Sequence, residues 1–169
     1  MIEKFTETLH NQAQSFLNQV FKDLKSTSIN IDEFELDHIC YRVETNERYQ
    51  ELKIIMQEIS NLISENIISN RAISTFKLNQ PIEYQDRDIW VIEIPAPKEG
   101  SFYTEGFEHA EFVINQELHS FMSLYPDVEF NTKSITKAIN PEISLKLRNT
   151  KIKFHEMSLE RVCQIEDQQ

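Results

Sequence analysis

Four side chains with metal-binding chemistry recur in this chain at matched places: His38, Glu93, His109 and His155. Two of them head similar stretches, Glu35-Leu36-Asp37-His38-Ile39-Cys40-Tyr41-Arg42-Val43 and Phe107-Glu108-His109-Ala110-Glu111-Phe112-Val113-Ile114. In each stretch a carboxylate precedes a histidine, and apolar residues then alternate with residues able to face a ligand. Imidazole and carboxylate together make a borderline-to-hard site suited to Zn, Mn, Fe, Co or Ni, with bonds of about 2.0–2.2 Å. Two or three protein ligands leave positions open for two substrate oxygens, and the metal then acts as a Lewis acid. Glu111, two residues after His109, is placed for acid–base work or for supporting a ligand. Arg42, Lys77 and Lys146, with Arg148 nearby, form a cationic rim that suits an anionic substrate such as a carboxylate.

Alternation of period two is the mark of a β-strand with two distinct faces, so the elements that carry these residues can be sorted by parity. His38, Cys40 and Arg42 share one face, with Ile39, Tyr41 and Val43 on the other. Trp90, Ile92 and Ile94 form a packing set that leaves Val91 and Glu93 on the open face, and Ile152 and Phe154 leave Lys153 and His155 there. By the same rule Lys77 and Lys146 face the cleft. Parity selects His155 over the adjacent Glu156. A single strand histidine is commonly an ordinary hydrogen-bonded residue, but four candidate ligands on duplicated strands read as a site. Cys40 reads as a small core residue, and His10 and His119, on helices, read as solvated.

The supporting elements follow from pattern. Phe5, Leu9, Ala13, Phe16, Leu17, Val20, Phe21 and Leu24 at spacings of three and four predict an amphipathic helix over residues 2 to about 25. Thr45-Asn46 caps a second helix whose stripe is Tyr49, Leu52, Ile55, Met56, Ile59 and Leu62. Strands are expected near 66–69, 72–78 and 88–94, with turns at Pro81 and at Gln85-Asp86-Arg87. The segment from Pro95 to Gly106 holds two of the five prolines and both glycines, and it reads as a boundary. Beyond it the pattern repeats, with an Asn115-capped helix and strands near 128–135, 142–148 and 151–157. The expected organisation is a helix and connector at 1–34, a βαβββ module at 35–97, a linker at 98–106 and a second βαβββ module at 107–169. The fold class is α+β, with the paired modules curling a mixed sheet round a cleft.

Bulk properties narrow the function. With 28 acidic against 17 basic residues the net charge is −11, which argues against nucleic-acid and anionic-membrane partners. Two cysteines in no metal or redox spacing, no apolar run of membrane-spanning length and no signal-like N-terminus lead to the expectation of a cytoplasmic protein with reduced thiols.

Asp37-His38-Ile39, Leu62-Ile63-Ser64-Glu65-Asn66, Phe76-Lys77-Leu78, Val91-Ile92-Glu93-Ile94-Pro95, Tyr103 through Gly106, Glu108-His109-Ala110-Glu111, Asn140-Pro141 and Ile152-Lys153-Phe154-His155 together resemble the YecM family. That family is a branch of the vicinal-oxygen-chelate superfamily, which includes glyoxalases and extradiol dioxygenases. The resemblance implies paired βαβββ modules with metal ligands on their first and last strands, and so His38, Glu93 and His109 here. Glyoxalases carry a Glu on the final strand, which Glu156 matches by type, while parity and the Phe154-His155 match indicate His155. The expectation is a metal-dependent enzyme with a small anionic, oxygen-rich substrate, its reaction isomerisation, lyase chemistry or dioxygenation. Two alternatives stand beside it: a non-catalytic module that binds or sequesters a small ligand, and a partner-docking scaffold with a vestigial cleft.

Overall fold

The computed structural model describes residues 2–166. Helix α1 (Ile2–Leu24) buries Leu9, Ala13, Leu17, Val20 and Leu24, the stripe its sequence spacing marks out. Strand β1 (Glu35–Arg42) leads to α2 (Asn46–Gln57), then β2 (Ser60–Ile68), β3 (Arg71–Tyr84) and β4 (Arg87–Pro95). After the linker come β5 (Gly106–Val113), α3 (Leu118–Ser123), β6 (Glu142–Lys146), β7 (Lys151–His155) and α4 (Leu159–Glu166). Among the described residues no helix is long and apolar enough to cross a membrane.

All the strands join one mixed sheet in the order β2-β3-β4-β1-β5-β7-β6. The halves meet where β1 and β5 pair antiparallel, and each of these has a parallel inner neighbour, β4 for β1 and β7 for β5. That arrangement gives the sheet an approximate two-fold relation about the β1/β5 seam. Apolar side chains including Ile39, Tyr41, Phe76, Ile92, Ala110, Phe112, Ile152 and Phe154 form one core with residues of α1, α2 and α3. The opposite face carries the polar residues singled out by parity.

Several boundaries differ from the sequence reading, each for a local reason. Thr45 caps α2 by accepting the Arg48 N–H at 3.1 Å, but the helix stops at Gln57, so Ile59 falls in the turn that follows and Leu62 in the next strand. Ser69 and Asn70, both at positive φ, make the tight β2–β3 turn. Pro81 does not end its strand, because the β3–β4 register shifts between Lys77 and Ile82 and the missing N–H falls in that irregularity. The same shift takes Trp90 out of the packing set, and its side chain is 40% exposed. The strand expected near 128–135 is reduced to one bridge, Asn131↔Ser144. There the Asn131 side chain accepts the Lys133 N–H at 3.0 Å, and this turn diverts the chain.

Candidate metal centre

The two carboxylate-histidine pairs are presented by two bulges in one ladder. Register runs from Leu36↔Phe112 to His38↔Glu111, which leaves Asp37 as the extra residue of β1. It then runs from Cys40↔His109 to Tyr41↔Phe107, which leaves Glu108 as the extra residue of β5. A bulge lets neighbouring residues turn toward the same side. Asp37 Oδ2 accordingly lies 2.7 Å from His38 Nδ1, and Glu108 Oε2 lies 3.3 Å from His109 Nδ1.

Glu111 stands between the two histidines. Its Oε1 is 3.3 Å from His38 Nε2, 2.9 Å from His109 Nε2 and 2.6 Å from Lys153 Nζ, while its Oε2 is 3.5 Å from His155 Nε2. His155 also approaches Asp37 Oδ2, at 3.6 Å, and ligand atoms of Asp37, His38 and His155 all lie within 4.8 Å of one another. His38, His109, Glu111 and His155 are all buried. His38 Nε2 and both ring nitrogens of His155 make no hydrogen bond of ordinary geometry. Buried polar atoms left in this way call for an explanation, an ion among the usual ones.

The electrostatics separate the histidines. Burial opposes charging His38, but the Glu111 and Asp37 carboxylates around it raise its imidazole to about 10. Burial pushes His155 below the ordinary 6.5, which leaves it neutral and ready to donate a lone pair. Glu111 is held well below the usual carboxylate range by Lys153 and His38, against the effect of burial. A metal ion entering here must therefore displace a proton from His38. The donor set fits a divalent transition ion: the two imidazoles and the Glu111 carboxylate, with Asp37 supporting His38 through its Nδ1.

Each residue proposed from the sequence has a definite place. His38, His155 and Glu111 converge on this centre, and His109 touches it through Glu111. Glu93 lies on the open face opposite Cys40 and Thr75, outside the groups whose ligand atoms come together. With Cys40↔Glu93 in one half and Glu111↔Lys153 in the other, Lys153 occupies in the second half the place of Glu93 in the first. His155 falls one step further along the strand. Glu156 faces away and accepts the Leu118 N–H at 2.9 Å, closing the start of α3 in place of the expected Asn115. Arg42 is bonded through Nε to Glu108 and lies over the Tyr103 ring at 4.8 Å. Lys77 pairs with Glu160 at 2.7 Å, and Lys146 is exposed on the outermost strand.

Sequence parity did not single out Asp37, because only the bulge turns it to the site. Lys153 carried its signal, an open-face position two residues before His155, without a partner to give it a role. The helix α4 was not expected. It returns across the open face of the first half, where the Leu159 N–H donates to Asp37 Oδ2 at 2.9 Å and Asn66 reaches Glu166 at 2.7 Å. Beside α4 lies a groove of about 280 Å3, lined by Glu35, Asp37, Lys77, Trp90 and Glu160 among others.

Comparison with known proteins accords with this architecture. Over 162 residues the chain is 26% identical to Protein YecM of Escherichia coli, covering 87% of this chain and 86% of that protein. It is 29% identical over 90 residues to an uncharacterised protein of Haemophilus influenzae, spanning 47% of that protein and 53% of this chain. A solved structure described as a structural-genomics protein, EC4020, superposes with a TM-score of 0.80 at 24% identity, covering 95% of this chain and 92% of that one. A hypothetical protein from Bacillus halodurans superposes at 0.51 with 14% identity, covering 75% of this chain and 96% of that one. These likenesses carry the fold. The YecM family model itself matches residues 6–166, so the chain belongs to the YecM family.

Proposed function

We propose that this chain is a cytoplasmic, metal-dependent enzyme of the vicinal-oxygen-chelate type, acting on a small anionic, oxygen-rich substrate. One observation carries the reading. The buried His38 Nε2 and His155 Nε2 have no hydrogen-bond partner and lie 3.3 and 3.5 Å from the Glu111 carboxylate. Donors bonded to one metal at about 2.0–2.2 Å stand about 3.0–3.6 Å apart, a range that includes both separations.

When bound, a divalent ion such as Zn, Mn, Fe, Co or Ni would supply Lewis acidity toward two adjacent substrate oxygens. The chain's own residues do the rest. Asp37 fixes the orientation of His38 by accepting from its Nδ1, and the α4 backbone holds Asp37 in turn. Lys153 clamps Oε1 of Glu111 and leaves Oε2 toward His155. His109, bonded to the same Oε1, can pass a proton to or from Glu111. Arg42, Lys77 and Lys146 remain the candidates for the anionic group of the substrate. A net charge of −11 disfavours nucleic acid or an anionic membrane as partner.

The test is metal content by elemental mass spectrometry on protein purified without a chelating tag, for the wild type and a His38→Ala/His155→Ala variant. Near-stoichiometric metal that disappears in the variant is expected. An absence of metal, with no uptake of added Zn, Mn, Fe or Ni by the folded wild type, would sink the reading. The alternative, a module that sequesters a ligand without turnover, is favoured by the burial of His38, Glu111 and His155 and by the α4 backbone that holds Asp37. Metal binding without any turnover of oxygen-rich acids would move the assignment there.

A further inference from the structure

Further along the open face from His38 and His155, two guanidinium groups also bury donors without acceptors. Arg71 opens β3, and Arg42 closes β1. Strand β4 lies between them, and the registers Ile73↔Pro95 and Cys40↔Glu93 put both arginines beside its end at Pro95. Strands about 4.8 Å apart leave two side chains flanking a middle strand within reach of one small ion. Each guanidinium is anchored by one bond, Arg42 Nε to Glu108 and Arg71 Nη1 to the Ala96 carbonyl at 3.1 Å. Each also buries a donor that meets no acceptor, Nη1 of Arg42 and Nε of Arg71.

Buried guanidinium N–H groups rarely lack acceptors, and two from neighbouring arginines are an unusual pair. Burial and the charge of Arg42 both act against the charge of Arg71, which lies below its ordinary value. Neither nearby carboxylate removes the conflict. Of the two arginines Glu108 bonds Arg42 alone, and Glu93, whose charge reaches Arg71, makes no hydrogen bond to either arginine among the described residues. The Tyr103 ring covers Arg42 from the irregular segment before β5, next to Phe102, which is fully exposed. A cover carried by a segment without regular pairing can move aside at little cost.

We propose that Arg42 and Arg71 form an oxyanion-binding site beneath Tyr103, which takes a carboxylate or phosphoryl group at the end of the open face remote from His38 and His155. Two N–H donors from separate arginines match two oxygens of such a group. The site deepens the proposed function by adding Arg71 to Arg42 as the residue that selects the anionic end of the substrate. Its chemistry stands whether or not a metal is bound.

The experiment follows thermal unfolding of the full chain with rising sodium phosphate or sodium acetate, at ionic strength held constant with sodium chloride. A saturable upward shift is expected for the wild type. Arg71→Met should weaken the apparent affinity about tenfold or more. Lys4→Met, at an exposed position of α1, should leave it unchanged. Arg71→Lys keeps the charge without the Nε donor and should recover only part of the shift. Circular dichroism identifies any variant that fails to fold, and the lysine variant then supplies the comparison. The His38→Ala/His155→Ala variant should keep the anion shift, so loss of metal and loss of anion binding are read separately. Stronger binding of phosphate assigns a phosphoryl group, and stronger binding of acetate assigns a carboxylate. No saturable shift, or an equal shift in Arg71→Met, overturns the proposal.

Discussion

Asp37 and Glu108 occupy the two bulges of the β1–β5 ladder, each directly before a histidine and each bonded to that histidine's Nδ1. The paired bulges turn a sequence repeat into a continuous chain of contacts, from Asp37 through His38, Glu111 and His109 to Glu108. The halves then diverge. His155 approaches Asp37 in one, and Arg42 bonds Glu108 in the other. The first environment suits a cation, and the second already contains one.

Asp37 orients His38, so Asp37→Asn should lower metal affinity by about 10–100-fold with the fold retained. Competition with a chromogenic chelator measures this. An unchanged affinity would show that His38 keeps its orientation without the carboxylate.

Glu156 should matter to local stability alone. Its carboxylate caps the Leu118 N–H, so Glu156→Ala should cost about 0.5–1 kcal/mol in denaturant unfolding. Metal content should stay at the wild-type level, whereas His155→Ala should lose it. The reverse pattern would move the ligand role to Glu156.

Lys153 is the buried counter-charge of Glu111, at 2.6 Å. Removing one partner of a buried pair strands the other, so Lys153→Met should destabilise the metal-free protein by about 3 kcal/mol. Added metal should recover part of that loss by neutralising Glu111. A loss under about 1 kcal/mol would mean that His38 and His109, both raised above the ordinary histidine value, already balance Glu111.

Stability should fall in acid through two partly exposed carboxylates. Glu65 is held below its ordinary 4.5 by Lys53, and Glu105 below the same value by Arg48. A carboxyl depressed in the folded state contributes fully above its unfolded value, and the contribution fades as pH falls through the lower folded value. Unfolding free energy should therefore decline from about pH 4.5 downward, and Glu105→Gln should flatten the decline. An unchanged acid limb in that variant would place the loss elsewhere.

The alternation of Ile39, Tyr41 and Val43 with His38, Cys40 and Arg42 was enough to assign faces, since period two is a property of the extended chain. It also chose His155 over Glu156, and helical spacing located α1. What local pattern could not show was register. A bulge adds one residue and reverses parity, and its position depends on the partner strand. Asp37 therefore entered the centre unannounced, and Trp90 left the core where the β3–β4 register shifts. Glu93 and Lys153 hold equivalent places in the two halves, but only pairing across the sheet puts Lys153 against Glu111 and leaves Glu93 apart. The return of α4 onto Asp37 joins residues far apart in the chain, and no local periodicity encodes such a contact. The sequence by itself determined which residues face together, because side-chain alternation is local. The tertiary structure decided which of them meet, because register, bulges and the packing of distant segments are set between strands.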